Sequence, residues 1–282
     1  MLHNINKLLY ISILLLSLSC NKELVQEIDN NDTSGIYPSD IIPELTKWKL
    51  TLPVDANGFD SSNATDFEHR NTNPLEIIGQ QLFNFEYQPY FYAENNEIIF
   101  KAHCAGATTT GSHYPRSELR QLVGGGNNFW KMNDYQFLEV ILSVTHTPVE
   151  RPNVCIVQIH GPEKEPLRVH YDGNKGLYLV WNHDNHIYLK DSLHYQIGQK
   201  LKVSVTVNNG YITCTLLNID NNEDYTYKWL SMDTTGYFKT GCYIQSSIFL
   251  SEIKDGYDNE QANAYGEVHL FSLKLKETYK NR

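Results

Sequence analysis

Positive charge is scarce in this chain of 282 residues: 23 Lys and Arg stand against 33 Asp and Glu, a formal net charge of -10. That balance argues against nucleic acid as a partner and against a broadly basic membrane-binding surface. Cysteine is also scarce, five in all and never at CxxC spacing, so no zinc site is indicated. Asp, Glu and His are scattered without a ligand pattern, so no metal or other cofactor is expected. The triplet Gly124-Gly125-Gly126 lacks the lysine of a phosphate-binding loop and reads as a turn. No apolar run is long enough to span a membrane comfortably. Hardly any stretch has a helical repeat, and no internal repeat or second domain boundary is visible.

Tyrosine, in contrast, is abundant at 19 residues, and aromatics favour strands and sugar-stacking surfaces. Lys7 precedes an apolar run, Leu8 to Leu18, that reads as the core of an export signal. Leu16-Ser17-Leu18-Ser19-Cys20 resembles a bacterial lipobox, with Cys20 as the lipidated residue. The alternative is a plain secretory signal cleaved near the same place. Residues 1–20 are therefore assigned to a leader and 21–37, polar and acidic, to a flexible tether. Residues 38–282 are left as the folded domain. The expected protein is an exported monomer whose only membrane contact is the lipid anchor. Of the other cysteines, Cys155 and Cys242 fall on apolar strand faces and are expected as buried free thiols. Pairing among Cys104, Cys155, Cys214 and Cys242 is left open.

Ser39-Asp40 can cap one short helical turn, and Trp48–Val54 reads as a strand. Asp55–Asn73 reads as a loop. Short period-two runs then follow: Phe83–Tyr87, Tyr90–Tyr92, Ile98–Ala102, Arg116–Leu122, Gln136–Thr145, Val154–His160, Leu167–Tyr171, Leu177–Trp181, Ile187–Lys190, Lys200–Val207, Tyr211–Leu217, Tyr237–Gln245 and Glu267–Leu275. Turns rich in Gly, Asn and Asp separate them, and Asn209-Gly210 is a hairpin signal. The pattern predicts an all-β fold, a β-sandwich or jelly roll.

Three of these strands carry unusual polar faces. Alternation puts Arg116, Glu118 and Arg120 on one face of RSELR, where Glu118 can orient the arginines and a free guanidinium can grip a carboxylate. In VCIVQIH it puts Gln158 beside His160, an amide next to an imidazole that titrates near neutral pH. In YFKTGCYIQ it groups Tyr237, Lys239, Gly241, Tyr243 and Gln245, with the glycine read as leaving space between the tyrosines. Singly, each is consistent with a solvated strand or an ion-pair ladder of little worth. Together they describe a groove for an extended polymer.

RSELR, QIH and YFKTGCYIQ, in this order and roughly this spacing, resemble the three signature motifs of alginate lyases of polysaccharide lyase family 7. The opening WKLTLPV and the YPRSELR context fit as well, and the likeness runs from about Trp48 to Leu275. Thr240 departs from the alanine usual in that family. The resemblance implies a jelly-roll β-sandwich of two antiparallel sheets with a substrate groove on the concave one, acting on alginate by β-elimination. It implies catalytic roles for Arg116, Gln158, His160 and Tyr243, and groove or supporting roles for Glu118, Arg120, Lys239 and Gln245. In the family, Ile within the QIH triplet accompanies cleavage of guluronate-containing blocks, so Ile159 points that way. A non-catalytic glycan-binding lipoprotein on the same fold is the competing reading. A glycoside hydrolase needs two carboxylates flanking one bond, and these faces offer only Glu118.

Overall fold

The computed structural model describes residues 36–63, 71–249 and 260–279. Cys20, the leader and most of the tether lie outside the described residues, as do residues 64–70 and 250–259. The first elements of the described residues are one helical turn, Pro38–Ile41, and a 3-10 segment, Pro43–Lys47. Five strands follow, β1 (Trp48–Asp55), β2 (Pro74–Ile78), β3 (Phe91–Glu94), β4 (Glu97–His103) and β5 (Arg116–Gln121). Next come β6 (Trp130–Lys131), β7 (Tyr135–His146), β8 (Asn153–His160), β9 (Leu167–Asp172), β10 (Gly176–Trp181) and β11 (Asn185–Tyr188). The remainder are β12 (Leu201–Asn208), β13 (Tyr211–Asn218), β14 (Glu223–Leu230), β15 (Thr235–Ile244) and β16 (Tyr265–Thr278).

These strands form two antiparallel sheets. One runs β11-β10-β9-β8-β15-β5-β1-β2, with β6 attached to β15; the other runs β14-β13-β12-β7-β16-β4-β3. Alternation explains why they stack. Leu138, Val140, Leu142 and Val144 of β7, Leu201, Val203, Val205 and Val207 of β12, and Leu50, Leu52 and Val54 of β1 are all fully buried between the sheets. The Asn209-Gly210 signal closes the β12–β13 hairpin, with Asn209 at φ 52° and Gly210 at φ 82°. All four cysteines of the described part are buried free thiols.

The strand expectations differ from the structure in four places, the unpredicted two-residue β6 among them. Phe83–Tyr87 is not a strand: a 3-10 turn over Gly79–Leu82 and a left-handed Asn84 (φ 55°) break the extension, leaving one bridge between Tyr87 and Phe91. β2 lies on the sheet edge just past an Asn-rich loop and begins with proline, which mutes its signal. In β14, EDYTYKWL alternates clearly and pairs along its whole length with β13.

Candidate active site

β15 lies between β5 and β8, so the three motif-bearing strands are direct neighbours. Lys239 pairs with Arg120 and Tyr243 with Arg116 on one side; Tyr237 pairs with His160 and Lys239 with Gln158 on the other. The register therefore brings guanidinium, imidazole, amide, ammonium and phenol to one patch. They open into a cavity of about 350 Å³ lined by Arg116, Arg120, Gln158, His160, Tyr237, Lys239 and Tyr243, with Lys49 and Thr51 from β1, Glu76 from β2 and Ser112 from the loop before β5.

Beneath the cavity floor sits Glu118, 1% exposed. Its Oε2 accepts from Arg116 Nη1 at 2.9 Å and from Lys239 Nζ at 2.5 Å, and its Oε1 accepts from Gln158 Nε2 at 2.5 Å. One carboxylate thus fixes three groups, one from each strand. Burial works to raise its pKa; Lys239 and Arg116, with the hydrogen bonds from Lys239 and Gln158, overcome that and hold it below the usual carboxylate range. Burial and the neighbouring Arg116 draw the Lys239 pKa down to about 8, against the pull of Glu118. Glu118 therefore stays ionised, and Lys239 is the member that discharges first as pH rises. Because a carboxylate can only accept, it also sets the Gln158 amide with nitrogen toward Glu118, leaving a second N–H for the cavity.

Arg116 spans the site. Its guanidinium lies 3.7 Å from the centre of the Tyr243 ring, and its Nη2 donates to Ser112 Oγ at 2.6 Å. The Tyr243 hydroxyl is 3.1 Å from the same Ser112 oxygen. His160 Nδ1 lies 2.5 Å from the Gly161 carbonyl, which can only accept. The neutral ring therefore carries its hydrogen on Nδ1 and its lone pair on Nε2. The ring stacks on Tyr237 at 5.3 Å, and Nε2 faces Glu165 Oε1 at 3.5 Å. Burial first, then Lys239, push the His160 pKa below its ordinary value, while Glu165 pulls the other way. This ring is a base poised to stay neutral.

Four expectations change in detail. Glu118 is not bracketed by two arginines: Lys239 takes the second place, while Arg120 stacks over Tyr237 at 3.9 Å and donates to Asn127 Oδ1 at 2.5 Å. Nor does Glu118 reach the cavity, so it orients other groups from below. Gln245 lies outside the cavity lining; its amide turns back on the carbonyls of Tyr243 and Ile244. Gly241 leaves no space for a ligand. A Cβ there would come within 2.6 Å of the Ser117 carbonyl, and φ is 141°, so the missing side chain admits strand β5. Gln245 lies just past the end of β15 at Ile244, with its backbone N–H donating to the Asn153 carbonyl at 2.9 Å. Sequence reasoning overlooked Ser112, Glu165, Lys49 and Glu76, which come from loops and from strands outside the motifs. For Lys49 and Thr51 the signal was present, as the polar half of the β1 alternation.

A sequence model of the alginate lyase family matches residues 43–277. No curated protein sequence matches the chain. Among solved structures, AlgAT5, an alginate lyase of polysaccharide lyase family 7, is 26% identical, with a TM-score of 0.66 over 86% of this chain and 99% of that one. The alginate lyase from Corynebacterium sp. is 24% identical, with a TM-score of 0.67 and coverage of 86% and 99%. The enzyme from Klebsiella pneumoniae is 20% identical, again with a TM-score of 0.67 and coverage of 86% and 99%. These last two likenesses speak to the fold alone, a jelly roll in each case shared with the two-sheet sandwich described above. With the family pattern running through both sheets and all three site strands, this chain belongs to the alginate lyases of polysaccharide lyase family 7.

Proposed function

We propose that this protein is an exported alginate lyase that cleaves the 4-O-glycosidic bond by β-elimination and favours guluronate-containing blocks. The supporting observation is the adjacency of β5, β15 and β8, which gathers a fixed cation, an amide donor, a neutral imidazole and a phenol in one cavity.

The chemistry begins with a C5 proton next to a carboxylate. Its removal places more charge on a group already anionic, so the carboxylate must be neutralised. Arg116 and the free N–H of Gln158 donate to its oxygens and stabilise the enolate-like state as charge develops. Loss of one such donor costs roughly 2.7–4 kcal/mol at sites of this type. His160 Nε2 holds the lone pair that takes the C5 proton. Tyr243 delivers a proton to the departing O4, and the product carries a C4–C5 double bond at its new non-reducing end. In guluronate the C5 proton and O4 lie on opposite faces, which suits two residues. In mannuronate they share a face, and Tyr243 can serve both steps.

The guluronate preference rests on Ile159 of the QIH triplet. Its side chain is fully buried, so its influence passes through packing around β8. Export and anchoring through Cys20 rest on the leader sequence. Incubation with alginate, followed by the ultraviolet absorbance of a conjugated uronate, tests the activity. Saturable binding without any rise would favour a glycan-binding protein instead. Separate assays on pure guluronate and pure mannuronate blocks test the preference; faster turnover of mannuronate would reject it.

A further inference from the structure

Ser112 precedes β5 in a loop, is 6% exposed and borders the cavity. Its Oγ has four polar neighbours. Arg116 Nη2 lies at 2.6 Å, the Tyr114 amide nitrogen at 3.3 Å, the Tyr114 carbonyl at 3.0 Å and the Tyr243 hydroxyl at 3.1 Å. A serine hydroxyl has one proton and two lone pairs. The guanidinium and the amide can only donate, so they claim the lone pairs. The proton is left with two acceptors at nearly equal distance, the Tyr114 carbonyl and the Tyr243 oxygen. A rotation about Cβ–Oγ carries it from one to the other.

We propose that Ser112 is a positioning residue for proton delivery by Tyr243: its hydroxyl turns from the Tyr114 carbonyl to the Tyr243 oxygen as the phenol gives up its proton. The inference rests on the elimination reading above. In that step His160 takes the C5 proton, and the C5 electron pair becomes the new double bond. The C4–O4 pair leaves with O4, which takes the proton from Tyr243. The phenolate and imidazolium so formed balance in charge, and a proton returned through solvent restores both. Ser112 keeps its own proton throughout and supplies a hydrogen bond to the oxygen that has just lost one. The same Oγ accepts from Arg116, but Glu118 Oε2 holds that guanidinium independently at 2.9 Å, so the carboxylate clamp outlasts loss of the hydroxyl.

The test compares Ser112→Ala and Ser112→Thr on two substrates: alginate, and a synthetic uronate bearing dinitrophenolate at C4, a leaving group that departs without a proton. Ser112→Ala is expected to lower kcat on alginate about tenfold with KM within about twofold, since one hydrogen bond to a developing charge is lost. It should leave turnover of the activated substrate within about twofold of wild type, and Ser112→Thr should recover alginate turnover. Equal losses on both substrates, or none on alginate, would overturn the proposal. If Ser112→Ala fails to fold by circular dichroism, Ser112→Cys takes its place under the same criteria, its thiol being a weak donor. Should wild type eliminate neither substrate, the lyase reading itself falls and this proposal with it; wild-type turnover with an indifferent Ser112 variant sinks only the latter.

Discussion

At the scale of single residues, the site divides into groups that meet the cavity and groups that hold them. Tyr243 meets it, and Tyr243→Phe should reduce kcat at least 100-fold, roughly the lower bound for losing a general acid, with an unchanged circular dichroism spectrum. His160 must be neutral to act, and its pKa is pressed below 6.5 chiefly by burial and then by Lys239. The acid limb of kcat/KM should therefore lie below pH 6.5. Glu165 opposes that pressure, so Glu165→Gln should move the limb to still lower pH; a shift upward would contradict the assignment. Lys239 titrates at about 8, so kcat/KM should decline as pH rises through that value. Glu118 holds three groups without meeting the substrate. Glu118→Ala strands two buried cations and should cost about 3–5 kcal/mol in urea unfolding. From the sequence, Arg116, Gln158, His160, Lys239 and Tyr243 could be read, because strand alternation projects them together. The Arg120 partner and the turned-back Gln245 could not, because a cation-over-ring contact and the turn that ends β15 depend on neighbouring chain that alternation does not encode.

At the scale of elements, the decisive irregularity is where β15 meets β8. Gly241 and Cys242 of β15 stand opposite the single β8 residue Ile156, which lies between the paired Cys155 and Val157 and is itself the extra residue against β9. The Ile156 carbonyl is met there by the Thr240 hydroxyl at 3.0 Å. This gives a physical reason for threonine where the family usually has alanine. Thr240→Ala should cost about 1–3 kcal/mol, the price of leaving a buried acceptor unmet, while kcat stays near wild type; thermal and urea melts check it. Most strands were legible because each pairs an apolar inner row with a polar outer one. β2 was not, because five residues on an edge after an Asn-rich loop give too few periods to recognise.

At the scale of the whole molecule, acidity and local cations coexist: the chain has a net charge of -10, and the cavity lining carries Arg116, Arg120, Lys239 and Lys49 beside Glu76, Glu163 and Glu165. Overall charge thus says little about which polyanion such a chain can bind. If the proposed lipobox is used, Cys20→Ser should release the protein from the membrane fraction into the soluble exported fraction. The order of the strands carries one more consequence. The groups assigned to remove and donate protons are His160 on β8 and Tyr243 on β15, so the acid is made long after the base. Synthesis proceeds from β1 toward β16. Until β15 has emerged and paired between β5 and β8, the acid is missing and the Glu118 hub lacks its ammonium, so a chain still being made is chemically silent.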